Sequence, residues 1–289
     1  MSRDPLLTTL LDLDAALASR ELIVGGGYGL YLKQLHLSRH PGTRTLLPLS
    51  ALPSARTTQD IDLILRAEVV TDSTAMKQIR AVLDSLRFRV VERARYMQFV
   101  RDAEPGEVKI DLLAAPLGPF ADRVPNDPRR VKPRPRVELH ASKLEEALGV
   151  DSNPLRLEIE GTLTTGERHQ TTILVPQAFS YLLMKLHAFR DRSLDADREL
   201  GRHHALDVYR IVGMVTDDEY PLVRRLVHEF SDEPAFAEAR RIAMNDFVDP
   251  NGVGQTRIRE HALYHDDCDL LQFAAELEEL LSVQDSPDR

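Results

Sequence analysis

The chain has 289 residues, 43% of them hydrophobic and 29% charged, with a formal net charge of −9 and a pI near 5.6. That is enough chain for a sizeable core in one large or two modest domains, and the acidic balance argues against indiscriminate coating of nucleic acid, although a local basic groove remains compatible with it. A single cysteine, Cys268, excludes an intrachain disulfide and a cysteine zinc cluster, and no stretch approaches the ~18 apolar residues of a membrane helix, so a cytoplasmic protein without a membrane partner is expected.

Asp4-Pro5 reads as the N-cap and first-turn proline of an amphipathic helix over 4–19, in which Asp12 and Asp14 interrupt any signal-peptide core. Glu21-Leu22-Ile23-Val24 then reads as a short strand, Gly25-Gly26-Gly27 as a turn, and the following leucines as a helix that ends before His40-Pro41-Gly42. Glycines in such a turn let backbone N–H groups approach an anion, and the helix behind them offers its positive end. Residues 40–56, with three prolines, read as a loop that either covers a bound ligand or makes a plain surface excursion.

At Arg56-Thr57-Thr58-Gln59-Asp60-Ile61-Asp62-Leu63-Ile64-Leu65 a polar run gives way to an apolar strand. Residues i and i+2 of a strand share a face, so Asp60 and Asp62 project side by side. Two adjacent carboxylates repel unless a cation lies between them, and a hard divalent ion such as Mg2+ supplies one; a solvated turn is the plain alternative.

A helix is expected over 73–86, and strands over 87–92, 96–101 and 107–113, the last two joined by a tight turn at 102–106. The third strand carries one acid, Asp111, among apolar neighbours. If it adjoins the strand 61–65, Asp60, Asp62 and Asp111 form one cluster beside the glycine turn. Residues 116–136 hold six prolines and six cations (Arg123, Arg129, Arg130, Lys132, Arg134 and Arg136), which suits either a solvated linker or a phosphate-following strip. Strands over 155–160 and 171–175 flank a glycine turn and either extend the sheet or form a small ribbon.

From Pro176 the chain reads as helical, near 176–191, 198–214, 217–230, 233–246, 255–264 and 267–282. The fold class expected is α+β, a mixed sheet with flanking helices over 1–175 followed by a helical domain over 176–289. Lys185 interrupts an apolar helix and needs an anion, either a polyphosphate or an ordinary partner such as Asp207. His203 and Asp207 lie one turn apart, a spacing that a transition metal can use, although a third ligand is not evident. Arg190 and Arg192 either reach phosphates or cover the surface.

Together, the glycine turn, the Asp60-Ile61-Asp62 pair, the later strand Asp111, and a helical second half carrying Lys185 and Asp207 resemble the nucleotidyltransferase superfamily of the polymerase β type, most nearly the AbiEii-type toxins and their stand-alone relatives. The resemblance covers roughly residues 20–215, although the glycines lie further from Asp60 than in the compact pattern. It implies a nucleotidyltransferase fold and two Mg2+ ions, with Mn2+ as a substitute, held by Asp60, Asp62 and Asp111. An NTP would lie against Gly25, Gly26, Gly27, Arg56, Thr58 and Lys185, with Asp207 also in the catalytic set. It further implies a tRNA acceptor and a cognate antitoxin; a small-molecule or protein acceptor, and a nucleotide-binding module without catalysis, are the alternatives.

Overall fold

The computed structural model describes residues 4–17, 21–55, 58–104, 106–193 and 198–283. It is an α+β protein built as two compact units. The first comprises Met1–Leu32, Thr57–Glu145 and Pro154–Pro176, the second Lys33–Arg56, Glu146–Asn153 and Gln177–Arg289. The boundary expected at 175/176 is therefore joined by two earlier excursions, 33–56 and 146–153, into the second unit.

The first unit holds a nine-stranded mixed sheet. Its strands are β1 (Ile23–Val24), β2 (Asp60–Leu65), β3 (Arg89–Val90), β4 (Gln98–Asp102), β5 (Glu107–Ala114), β6 (Arg130–Val131), β7 (Ala141–Lys143), β8 (Leu155–Thr162) and β9 (Arg168–Val175). They run in the order β3-β4-β5-β2-β1-β9-β8, and β7, carrying β6 on its outer side, pairs with the end of β5. β2 and β5 are parallel, as are β1 and β9, so the β8–β9 hairpin extends the sheet. The segment 116–136 is anchored rather than a linker. It contributes a 3-10 turn over Gly118–Arg123 and strand β6, and Asp127 accepts the backbone N–H groups of Arg129 and Arg130 and the ammonium of Lys132.

Alternation sorts the central strands. Ile61, Leu63, Val108, Ile110 and Leu112 are buried on one face, where Leu63 and Leu112 line a cavity together with Leu13 of helix α1 (Pro5–Leu17) and Ile79 and Leu83 of α4 (Ser73–Ser85). A short helix α3 (Ala67–Thr71), too brief for its periodicity to be read from sequence, precedes α4. Helix α1 opens as expected, with Asp4 Oδ1 accepting the N–H groups of Leu6 and Leu7. Its interior acids are structural: Asp14 meets His169 at 2.8 Å, while Asp12 accepts Arg101 at 3.1 Å and both the N–H and the hydroxyl of Thr164.

Helix α2 (Gly26–Arg39) begins inside the glycine run, in the first unit, and enters the second at Lys33. The second unit carries helices α5 (Ala178–Ser193), α6 (Arg198–Gly213), α7 (Tyr220–Glu229), α8 (Pro234–Ile242), α9 (Val253–Arg259) and α10 (Leu270–Leu280), with a π-helical stretch Ala243–Val248 after α8. The run 40–55 packs within the second unit. Leu47 and Leu52 are buried, Leu46 and Leu47 donate their N–H groups to Val215 and Gly213, and a Cβ at Gly213 would stand 2.3 Å from Leu52. Lys33, buried, pairs with Glu219 at 2.6 Å, and Glu219 also accepts the N–H of Ala178 at the start of α5. No helix among the described residues is long and apolar enough to cross a membrane.

Asp12 ties α1 to two other elements at once, so Asp12→Ala leaves Arg101 and Thr164 facing a void. The expected loss is about 3 kcal/mol of unfolding free energy, in the range for breaking one side of a buried ion pair. Urea denaturation measures it, and a change below about 0.5 kcal/mol, the scale of an ordinary surface substitution, would deny the tie.

Candidate functional site

The chemistry of the first unit concentrates where β2 lies beside β5. Their parallel register pairs Asp60 with Lys109 and Asp62 with Asp111. Because side chains alternate, Asp60, Asp62, Lys109 and Asp111 all emerge on one face, opposite the buried leucines and isoleucines. The structure thus brings together the three acids that sequence singled out, and adds a lysine that it did not. The signal for Lys109 was present in the alternation Glu107-Val108-Lys109-Ile110-Asp111, which puts the lysine two residues from the acid and on its side of the strand.

The electrostatics follow from that crowding. Lys109 Nζ lies 3.0 Å from Asp111 Oδ2 and 3.7 Å from Asp60 Oδ2. Burial alone would lower its ammonium, yet Asp111, Asp60 and Asp62 together hold it above the ordinary lysine value. Burial pushes the Asp111 carboxyl up to about 6, against the pull of Lys109 and with added repulsion from Asp62 and Asp60. Asp111 Oδ1 is buried and has no hydrogen-bond partner. Carboxylate oxygens are of the kind a hard divalent cation takes, but among the described residues only Glu199, His203 and His261 bring three ligand atoms within 4.8 Å of one another, so Asp60, Asp62 and Asp111 would have to draw together around an ion.

The glycine turn completes this face. Gly25 donates its N–H to the carbonyl of Asp62 at 2.8 Å, and Gly26 has φ +61° at the start of α2. A Cβ at Gly26 would fall 1.6 Å from Asp62 Oδ2, so no larger residue fits while the carboxylate stays where it is. Glycine is required here by an acid of the protein itself, which also lies at the positive end of the helix. Gly27 is buried in the first turn of α2. Thr58 shapes the entry to β2, its hydroxyl accepting the N–H of Asp60 at 3.3 Å, and Arg56 lies outside the described residues.

Lys185 and Asp207 belong to the second unit, where they find each other. Lys185 Nζ donates to Asp207 Oδ2 at 2.8 Å, Arg210 donates to Asp207 Oδ1 at 3.2 Å, and the Arg210 guanidinium grips Gln34 Oε1 at 2.6 and 3.1 Å. Asp207 and Arg210 are fully buried. The lysine's anion is thus the ordinary partner, and contact with a phosphate would require an exchange. Arg190 pairs with Asp191 and Glu238.

The pairing of His203 with Asp207 as metal ligands is not seen; His203 Nδ1 faces His261 Nε2 at 2.8 Å. Glu199, His203 and His261 lie close enough to surround an ion. However, His261 Nδ1 accepts the N–H of Leu263, which puts the ring proton on Nε2, the nitrogen a metal would need. Hydrogen bonding between the two rings accounts for the approach of His203 to His261, and Glu199 lies 3.7 Å from the other nitrogen of His203.

Comparisons with protein-family models, curated proteins and solved structures found no match.

Two substitutions test these assignments. The folded carboxyl of Asp111 sits above its ordinary value of 3.8, so the stability its proton contributes is complete below that value and lost as pH rises through about 6. A neutral isostere, Asp111→Asn, should therefore stabilise the metal-free protein at pH 7.5 by on the order of 1 kcal/mol; a lower melting temperature would assign the carboxylate a structural role. In the second unit, Asp207→Asn leaves two cations against an amide, whereas Lys185→Met leaves Asp207 with Arg210. The aspartate change should cost more, by about 1–2 kcal/mol in chemical denaturation, and the reverse order would contradict the network.

Proposed function

We propose that this protein is a divalent-cation-dependent nucleotidyltransferase that moves an NMP from an NTP to an acceptor hydroxyl. The observation that carries the reading is the register of β2 and β5, which puts three carboxylates on one sheet face beside a glycine turn and leaves Asp111 Oδ1 buried without a partner. Mg2+ bound there would lower the acceptor hydroxyl's pKa and neutralise charge on the phosphoryl group in flight. Asp60, Asp62 and Asp111 are the residues that would hold it.

The chain's own part is alignment and electrostatics. Asp62 is fixed by its strand, by the Gly25 N–H on its carbonyl and by the space that Gly26 leaves. The sheet holds Asp111 rigidly opposite it. The acceptor oxygen forms its bond to the α-phosphorus, the bond to the β-phosphate bridging oxygen breaks, pyrophosphate leaves, and the hydroxyl proton passes to solvent.

A tRNA acceptor and a cognate antitoxin are carried by the resemblance to AbiEii-type toxins. The cationic segment 116–136 gives the RNA reading limited support, because Lys132 is committed to Asp127 and Arg123 lies over the Phe120 ring, 4.5 Å from its centroid. A small-molecule or protein hydroxyl is served by the same acids.

Incubation with each labelled NTP, Mg2+ and total RNA should transfer label, and Asp62→Asn and Asp111→Asn should each reduce it by about 10³-fold, the equivalent of ~4 kcal/mol of transition-state stabilisation. Label that reaches only protein or a small-molecule acceptor moves the acceptor and keeps the chemistry. Unchanged transfer in both variants removes the three-carboxylate mechanism.

A further inference from the structure

The first unit also holds a histidine whose protein surroundings do not account for it. His140, just before β7, is 7% exposed. Its Nδ1 is buried with no hydrogen-bond partner, and its Nε2 bonds to none of the described residues while keeping access to solvent. Ring nitrogens in a core are normally hydrogen-bonded, because an unmet one loses its hydration without return. A histidine placed only to fill space has no use for two open nitrogens.

The groups around it are cationic. β6 and β7 pair antiparallel with Arg130 level with Ser142, and that register, carried one residue past the paired positions, sets Lys132 opposite His140. Burial holds the imidazolium below the ordinary histidine value, and Lys132, Arg130 and Arg136 press the same way, against Asp127. Lys132 is answered by Asp127. The Arg130 guanidinium reaches only the carbonyl of Arg95, at 3.5 Å, and no carboxylate among the described residues pairs with it or with the exposed Arg136. Glu138, the acid nearest in sequence, accepts the Tyr96 hydroxyl at 3.1 Å.

Tyr96, just before β4, makes one wall. Its backbone adopts φ +70°, a region that side chains avoid, and its carbonyl accepts the His140 N–H at 2.8 Å. The ring stands edge-on to the imidazole, centroids 5.4 Å apart, and the Arg95 guanidinium lies over it at 5.1 Å.

We propose that His140 and Arg130, with Arg136 at the rim, form a phosphate-binding site on the β6–β7 edge of the sheet, apart from the carboxylates of β2 and β5. An imidazole N–H beside a guanidinium fork is the donor set a tetrahedral oxyanion takes, and two guanidinium charges without a carboxylate favour phosphate over a singly charged acid. Nε2 is the nitrogen a ligand reaches. Phosphate held there counters the cations around the ring, so His140 binds its own proton more tightly when the site is filled. The assignment needs no metal and no group transfer, and stands apart from the nucleotidyltransferase reading.

The test is an NMR titration of the full chain carrying isotope-labelled histidine, with inorganic phosphate as the probe and sodium chloride at matched ionic strength as the control. The His140 ring, assigned through its contact with the Tyr96 ring, should shift saturably with phosphate and not with chloride, and its pKa should rise. Arg130→Gln should weaken binding about tenfold, the scale of one charge-assisted hydrogen bond, whereas Arg123→Gln, in the same segment but over Phe120, should change it by less than about twofold. His140→Gln should abolish binding; if that variant fails to melt cooperatively, Arg130→Gln carries the comparison. Dinucleotides with and without a terminal phosphate then separate a monoester ligand from a diester, and either keeps the site. A ring that ignores phosphate, responds equally to chloride, or binds as well in Arg130→Gln overturns the proposal.

Discussion

Everything at the candidate site depends on one alignment, the parallel pairing of Asp60–Leu65 with Lys109–Ala114. A slip of a single residue between these strands would send Asp111 into the apolar layer and bring a leucine or isoleucine beside Asp62. The force that prevents the slip lies on the other face. Ile61, Leu63, Ile110 and Leu112 are each at most 4% exposed, and each loses its burial if either strand moves by one position. The polar constellation is held in place by apolar contacts that none of its members makes.

The same geometry sets acids against stability. Carboxylates held side by side on a rigid surface cannot relax apart, and Asp111 expresses the conflict in a carboxyl raised to about 6 and an oxygen with nothing bound to it. Ordinary structural ion pairs in this chain look different. Asp12 has both oxygens engaged by Arg101 and Thr164, and Glu219 joins Lys33 to the first turn of α5. Where the fold uses an acid for support it satisfies it, and the contrast with Asp111 is the physical basis for proposing that this face serves a ligand.

Much of this was legible from sequence because its signals are local. The alternation in Asp60-Ile61-Asp62 and in Lys109-Ile110-Asp111, the Asp4-Pro5 cap, the glycine break before α2 and the long helices of the second half each fit inside one element. What sequence could not supply were the pairings. That Asp62 stands level with Asp111, that Gly26 must be glycine because of a side chain 36 positions later, and that Arg210 shares Asp207 with Lys185 are all facts that no single element spells out. The prolines of 40–56 and 116–136 invited a reading as loops, yet both runs are tied down, one by Leu47 and Leu52 in a core and the other by Asp127 and strand β6.

Lys109 shows why residue type and spacing are an incomplete guide to an acidic site. Three acids predict attraction for cations, but how many cations depends on the positive charge the protein already provides. A lysine rooted in the strand beside them contributes that charge permanently, 3.0 Å from Asp111 and 3.7 Å from Asp60. A sheet that carries both the acids and a cation between them can hold these side chains close together.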